Sequence, residues 1–177
     1  IEKYLGDYNF YTKNMVKIEI LMQEGKVSKI NELELERYLN FFKHSSENNL
    51  QHSLAVTTTF PRWSIISGYY AMHDRTKLFL VKTFRLKIEL EVHSTTIKVL
   101  REVLREQEIL KLMENGYQEF LSMANDLAEA KTERVKSQYY TGSAYMEREY
   151  QKRATIFLLE IVEPFLQKIN KLLEDER

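Results

Sequence analysis

The sequence contains no cysteine, and this absence excludes several classes of protein. Without a thiol, the chain forms no disulfide framework, offers no cysteine ligands to zinc and has no thiol nucleophile. Proline and glycine are also scarce, with 2 and 5 residues in a chain of 177. Because strand-and-turn folds need frequent turn residues and long helices do not, this scarcity favours a helical fold.

An excess of charge of one sign is missing as well, since 26 basic residues are balanced by 26 acidic residues. A neutral chain exerts no overall attraction on nucleic acid, so any RNA-binding site must be a local patch. No apolar stretch approaches the roughly 20 residues needed to cross a bilayer. The opening residues, Ile1-Glu2-Lys3-Tyr4, show neither the basic nor the apolar region of a secretory signal. We therefore expect a cytoplasmic location and no membrane segment.

Apolar residues recur at helical spacing through most of the chain. They predict an all-α protein, an antiparallel bundle of five or six helices. Residues 1–30 are interpreted as a leader helix or extension, and residues 31–177 as the bundle itself. Within the leader, a helical spacing and a strand-like alternation overlap between residues 15 and 22. We favour a short helix there, ending at Gly25.

Two long helices are predicted after the leader. Asn31, with Glu34 three residues later, has the pattern of a helix N-cap. The helix that it begins should end in the threonine run before Pro61, because the position before a proline resists helix. A second helix is expected from about residue 62 to 82, apolar nearly all round and so central. Gly68 within it would let another helix approach closely.

Residues 84–92 alternate strictly between apolar and charged side chains, which by periodicity indicates a strand. A lone strand would leave its backbone groups without partners, however, and helices are expected on both sides. An extended connector or a helix is therefore equally consistent with this segment.

The remaining sequence predicts three more helices. One should cover residues 94–113 and end at Asn115-Gly116, a usual helix C-terminal signal. The next should begin near Tyr117, and Ser143 is a candidate cap for the last. Pro164 lies inside that last helix and should kink it, since proline removes a backbone hydrogen bond.

Three stretches taken together resemble a known family. They are Trp63–Asp74 with its Tyr-Tyr-Ala-Met, His93 followed by Thr-Ile-Lys-Val-Leu at residues 96–100, and Arg134–Tyr139 with its Arg-x-x-x-x-Tyr. Their order and spacing are similar to the second helix, the third helix and the last helical region of the HEPN superfamily (higher eukaryotes and prokaryotes nucleotide-binding). The resemblance covers about residues 13–173 and implies a HEPN-like helical bundle.

The resemblance implies chemistry on RNA, with one departure. Catalytic HEPN proteins are metal-independent ribonucleases built on Arg-x(4–6)-His, in which the arginine holds a phosphate and the histidine moves the proton of a 2′-hydroxyl. Arg134 matches, but Tyr139, Tyr140 and Thr141 stand where the histidine belongs. Tyrosine titrates near pH 10 and is a poor base at neutrality. Arg134 and Tyr139 are thus the candidate catalytic residues, and enzymatic activity stays open.

Five further residues are candidates for binding: Lys131, Lys136, Tyr140, His73 and His93. The lysines flank Arg134 and would add positive charge for phosphate. Tyr140 would either stack on a base or pack between helices. His73 is equally explained by hydrogen bonding within the bundle, and His93 by orienting the helix that it begins.

Two functional hypotheses follow from the resemblance. The first is an RNA-directed HEPN protein, either a weak ribonuclease or the toxin-like half of a toxin–antitoxin pair. The second is a non-catalytic module that binds a nucleotide or a protein partner. Both imply a homodimer without metal or cofactor, and the resemblance adds a separate nucleotidyltransferase subunit as a partner.

Overall fold

A computed structural model describes residues 8–133 and 143–174, and most of them are helical. The elements in chain order are α1 (Tyr8–Gln23), β1 (Val27–Lys29), α2 (Glu32–Ala55), α3 (Pro61–Phe84), β2 (Leu86–Ile88), α4 (Val92–Val103), α5 (Gln107–Glu133), α6 (Ser143–Phe157), a π-helical turn (Leu158–Val162) and α7 (Glu163–Glu174). The prediction of an all-α helical bundle is confirmed. Among the helices in these two ranges, none is both long and apolar enough to cross a membrane.

Helices α2 and α3 form an antiparallel pair whose ends follow the predicted signals. The side chain of Asn31 accepts a hydrogen bond from the backbone N–H of Glu34 at 3.0 Å, which caps α2. Pro61 occupies the first turn of α3, where its missing N–H costs no hydrogen bond. Small serines join the two helices, since Ser46 donates to the Ala71 carbonyl and Ser53 to the Ser64 carbonyl.

The central helix is α3, which contacts α2, α4, α5, α6, the π-helical turn and α7. Gly68 lies where three neighbours converge, as the sequence predicts for a close approach. A Cβ atom at this position would lie 3.0 Å from a ring carbon of Phe157, and 3.1 Å from side-chain atoms of Ser53 and Val162. A side chain at residue 68 would therefore fit only if these core neighbours moved by a few tenths of an ångström.

The alternating segment forms a strand over Leu86–Ile88 and not over the full nine residues. This strand pairs antiparallel with β1 in the leader, with Val27 opposite Ile88 and Lys29 opposite Leu86. The strand that pairs with this segment thus lies about sixty residues earlier in the chain, where the sequence alone did not indicate a partner. Between them, β1 and β2 bury Val27 and Leu86 in the same core as the helices.

The predicted boundary at Asn115-Gly116 is wrong. The chain leaves the helix at residues 104–106, and α5 then runs without interruption through Gly116 and Tyr117. A Cβ atom at Gly116 would lie 2.9 Å from the terminal methyl carbon of Met72. Glycine at this position is explained by close packing of α5 on α3, and not by the end of a helix.

A π-helical turn precedes Pro164 in the last helix, where the sequence predicts a kink. The backbone N–H of Glu163 donates to the carbonyl of Leu158, five residues earlier in the chain. Widening of the helix just before a proline is a known way to accommodate its ring and its missing donor. Helices α6 and α7 therefore continue one another through this turn.

Candidate functional site

Aromatic and histidine rings collect where α3, α4 and α5 meet. We call this group the ring cluster; its members are Tyr69, Tyr70 and His73 from α3, His93 from α4, and Tyr117 and Phe120 from α5. The spacing of the rings along α3 and α5 places them on the facing sides of these two helices. The start of α4 brings His93 against both.

The ring cluster has a buried floor and a partly exposed rim. Tyr69 is 0% exposed and lies at the centre, with its ring 4.6 Å from that of Phe120 and 5.5 Å from that of His93. Tyr70, His93, Tyr117 and Phe120 are only half-buried, and we call these four residues the rim. The cluster thus combines close ring packing with an accessible aromatic surface.

Two of the residues singled out in the sequence, His73 and His93, are neighbours in this cluster. Their ring centroids are 4.7 Å apart. His73 is 1% exposed, and its Nε2 atom lies 3.5 Å from the Val92 carbonyl oxygen. Its Nδ1 atom makes no hydrogen bond and lies 3.8 Å from Asp74 Oδ1. His73 is therefore a buried bundle residue, whereas His93 reaches the rim.

Burial keeps both histidines neutral at physiological pH. Desolvation lowers the pKa of His73, although Asp74 opposes this shift. Desolvation, together with repulsion from His73 and Lys77, lowers the pKa of His93 to about 4. Burial also raises the pKa of Tyr69, so its phenol keeps its proton. At neutral pH, Tyr69, His73 and His93 consequently add no charge to the ring cluster.

A polar network lies next to the buried histidine and was not anticipated from the sequence. Asp74 Oδ2 accepts hydrogen bonds from Ser45 Oγ at 2.6 Å and from Asn49 Nδ2 at 3.2 Å. Burial alone would raise the pKa of Asp74, but the neighbouring His73, the Ser45 hydrogen bond and the charge of Lys77 together lower it. The only sequence signal was the spacing of Ser45 and Asn49, four residues apart on one face of α2.

A cavity of about 440 Å³ is bordered by Glu119 of α5 and by Tyr150, Arg153 and Ile156 of α6, among others. Its lining carries two basic side chains, Lys152 and Arg153, against two acidic ones, Glu119 and Glu149. Arg153 is already engaged, because it donates to Glu119 at 2.7 Å and to Ser122 Oγ at 3.0 Å. Carboxylate and guanidinium thus neutralise each other there. The ring cluster is the better candidate for a functional surface.

The other candidate residues from the sequence cannot be compared with this geometry. Lys131 belongs to the last turn of α5, but its side chain lies outside the described residues. The same holds for the whole of Arg134, Lys136, Tyr139 and Tyr140. Their roles in binding or catalysis stay predictions.

Metal binding and known relatives give no further assignment. In the described part of the chain, no group of three or more histidine, aspartate or glutamate side chains could hold a metal ion. Compared with known proteins, the chain matches no protein-family model, no curated protein and no solved structure. The resemblance to the HEPN superfamily therefore stays a prediction.

Proposed function

We propose that this protein is an RNA-binding helical domain of the HEPN kind, and that the rim of the ring cluster stacks on unpaired bases. The observation that carries the proposal is the partly exposed rim formed by Tyr70, His93, Tyr117 and Phe120, in which His93 is neutral at physiological pH. Unpaired RNA bases are commonly recognised by stacking on aromatic or histidine rings. Stacking accepts every base, because each has an aromatic face.

Packing between α3, α4 and α5 alone would explain the partly exposed rim rings less well. Tyr69 is fully buried, as a core ring should be, whereas its four rim neighbours keep part of their surface in water. Burying these rings completely would add stability, since each large aromatic residue can bury 150–250 Å². Exposed aromatic surface gathered in one place is typical of a binding site.

The proposal leaves phosphate contacts to the basic residues predicted near the end of α5. Lys131 follows Phe120 by eleven residues on this helix, which corresponds to about 16 Å along the axis. A strand of RNA that stacks on the rim and runs along α5 would meet Lys131, and the phosphate contacts predicted for Arg134 and Lys136 belong to residues outside the described ranges. A chain without net charge can bind RNA only through a local basic patch, and these residues would form one.

The proposal is tested by fluorescence anisotropy with a labelled single-stranded RNA of mixed sequence. Tyr70→Leu and Tyr117→Leu should each weaken binding by about fivefold or more, since stacking is worth about 1–3 kcal/mol per base. Tyr38→Leu is the matched control, because Tyr38 is a half-buried tyrosine of α2 that contacts Phe42 and Arg37 outside the ring cluster. Equal affinity of rim and control variants would contradict the assignment of the site.

The same RNA, analysed on a gel after incubation with chelator, distinguishes binding from cleavage. Cleavage that is lost in Arg134→Ala would add ribonuclease activity, and with it the toxin-like role, to the proposed binding. Intact RNA would leave a binding protein. Failure of the wild-type protein to bind any RNA would reject the proposal as a whole.

A protein-binding module is the second candidate, and exposed apolar side chains favour it. Phe60 is 62% exposed and Trp63 is 53% exposed, three residues apart at the start of α3. Large apolar residues left in water often mark an interface, either between two copies of one chain or with another subunit such as a nucleotidyltransferase. Sedimentation that shows a single-chain mass at every protein concentration would exclude the homodimer.

A further inference from the structure

Tyr69 makes a directional hydrogen bond to the rim histidine. Its hydroxyl oxygen lies 3.0 Å from His93 Nδ1, and this is its only hydrogen-bond partner among the described residues. Because Tyr69 is fully buried, its phenol cannot turn to water for an acceptor. Burial also raises the pKa of Tyr69, so the hydroxyl is protonated and must donate. The lone pair that receives this proton belongs to His93 Nδ1.

This bond determines which nitrogen of His93 carries the ring proton. A neutral imidazole has one N–H and one lone pair, and with the lone pair at Nδ1 the proton is on Nε2. Nε2 makes no hydrogen bond to the described residues. It is not among the buried unpaired atoms either, which in this part of the chain are His73 Nδ1 and Thr83 Oγ1. The Nε2–H group is therefore not taken up by any of the described residues and can donate to a ligand at the rim.

The surroundings of His93 oppose a second proton on its ring. The ring of His73 lies 4.7 Å away, and Lys77 contributes a positive charge on the same side of α3. The carboxylate of Asp74 favours a proton on His93, but it already accepts hydrogen bonds from Ser45 and Asn49. Tyr70 and Tyr117 are the remaining titratable side chains that face the His93 ring.

We infer that Tyr69 fixes His93 as the Nε2–H tautomer, so that His93 donates a hydrogen bond to an oxygen of bound RNA and does not act as its general base. The inference rests on the proposed RNA binding and deepens it, because it names the contact that a rim residue makes besides stacking. A neutral N–H beside Tyr70 and Phe120 suits an oxygen acceptor, either a base carbonyl or a phosphodiester oxygen. His93 would then not take over the role of general base from the histidine that is missing from the predicted ribonuclease motif.

The tautomer is measured directly on the uniformly ¹⁵N-labelled chain by long-range proton–nitrogen spectra of the imidazole rings. At neutral pH we expect the Nδ1 atom of His93 to show the shift of an unprotonated nitrogen and Nε2 that of a protonated one. Tyr69→Phe removes only the hydroxyl, and both nitrogens of His93 should then move toward averaged shifts. His44, exposed on α2, serves as the control and should not change. A protonated Nδ1 in the wild-type protein would overturn the inference, whether or not RNA binds.

The donor role is measured by RNA affinity. His93→Phe keeps a ring for stacking but has no donor. We expect His93→Phe to weaken binding by about three- to tenfold relative to the wild type, the effect of one hydrogen bond. Equal affinities of His93→Phe and the wild type would overturn the donor role and leave RNA binding standing, whereas absence of wild-type binding would overturn both.

The source of the oxygen is separated by two small probes. Uridine offers base carbonyls without phosphate, and ribose 5-phosphate offers phosphate without a base. The probe that shifts the His93 Nε2 resonance identifies the acceptor, and a shift with neither probe at saturation would contradict the donor contact.

Discussion

Replacing Gly68 with alanine should destabilise the bundle, whereas the same change at Gly116 should not. The added Cβ at residue 68 would meet the Phe157 ring, the Ser53 hydroxyl and a Val162 methyl at 3.0–3.1 Å. These three neighbours come from three different elements, so an alanine at residue 68 requires three separate adjustments in the core. The Cβ at residue 116 would meet only Met72 within 3.5 Å, at the end of a flexible thioether side chain.

The magnitude follows from two opposing terms. Alanine is about 1 kcal/mol more favourable than glycine inside a helix, and both variants gain this amount. Overpacking of a well-filled core costs about 1–3 kcal/mol, and we expect this cost at residue 68 only. Gly116→Ala should therefore be as stable as the wild type or up to about 1 kcal/mol more stable. The difference between the two variants, about 1–3 kcal/mol, is independent of helix propensity.

Urea denaturation followed by circular dichroism measures this difference. With a slope of about 2 kcal/mol per molar urea, the two midpoints should be separated by about 0.5–1.5 M. Equal midpoints would show that the side chains around Gly68 move aside as readily as Met72 does. They would refute the conclusion that α3 is tightly enclosed at residue 68.

Two further predictions concern the cap of α2 and the rim histidine. Asn31→Ala should lower the free energy of unfolding by about 1 kcal/mol, because the Asn31 side chain accepts a hydrogen bond from the Glu34 N–H. Asn48→Ala, on the exposed middle of α2, is the control and should leave the free energy of unfolding unchanged. Equal melting temperatures of the two variants in thermal unfolding would contradict a contribution from the cap. His93 has a folded-state pKa of about 4 against an ordinary value of 6.5, so the unfolded chain binds more protons, and stability should be complete above about pH 6.5 and decline toward pH 4. Urea midpoints at several pH values should decline less in His93→Gln than in the wild type or in His44→Gln, and an unchanged decline would contradict the burial of His93.

Several helix ends could be predicted because they depend on residues close together in the chain. The hydrogen bond from Glu34 to Asn31 spans three residues, and the start of α3 depends on Pro61 alone. Pro164 likewise perturbs its helix through its own missing N–H. Gly116 shows where this approach fails, because a glycine that ends a helix and a glycine that makes room for Met72 are the same residue in the sequence.

The candidate site could be predicted only in part, for a similar reason. Family resemblance drew attention to His73 and His93, twenty residues apart, but their contact depends on how α4 folds back against α3. The involvement of Tyr117 and Phe120 depends on the packing of α5 against the same face. The lowered pKa of His93 has no trace in the sequence, since burial is a property of the assembled core.

Helical class, the cap at Asn31 and the break at Pro61 follow from hydrophobic spacing and backbone chemistry, which act within a few residues and survive in any compact arrangement of the chain. The packed bundle alone decides three features: the pairing of β1 with β2, the place of Gly116 within α5 and the ring cluster. Each of them joins segments that are distant in the chain, and the free energy that selects such contacts comes from burial and close approach, which exist only once the helices have come together.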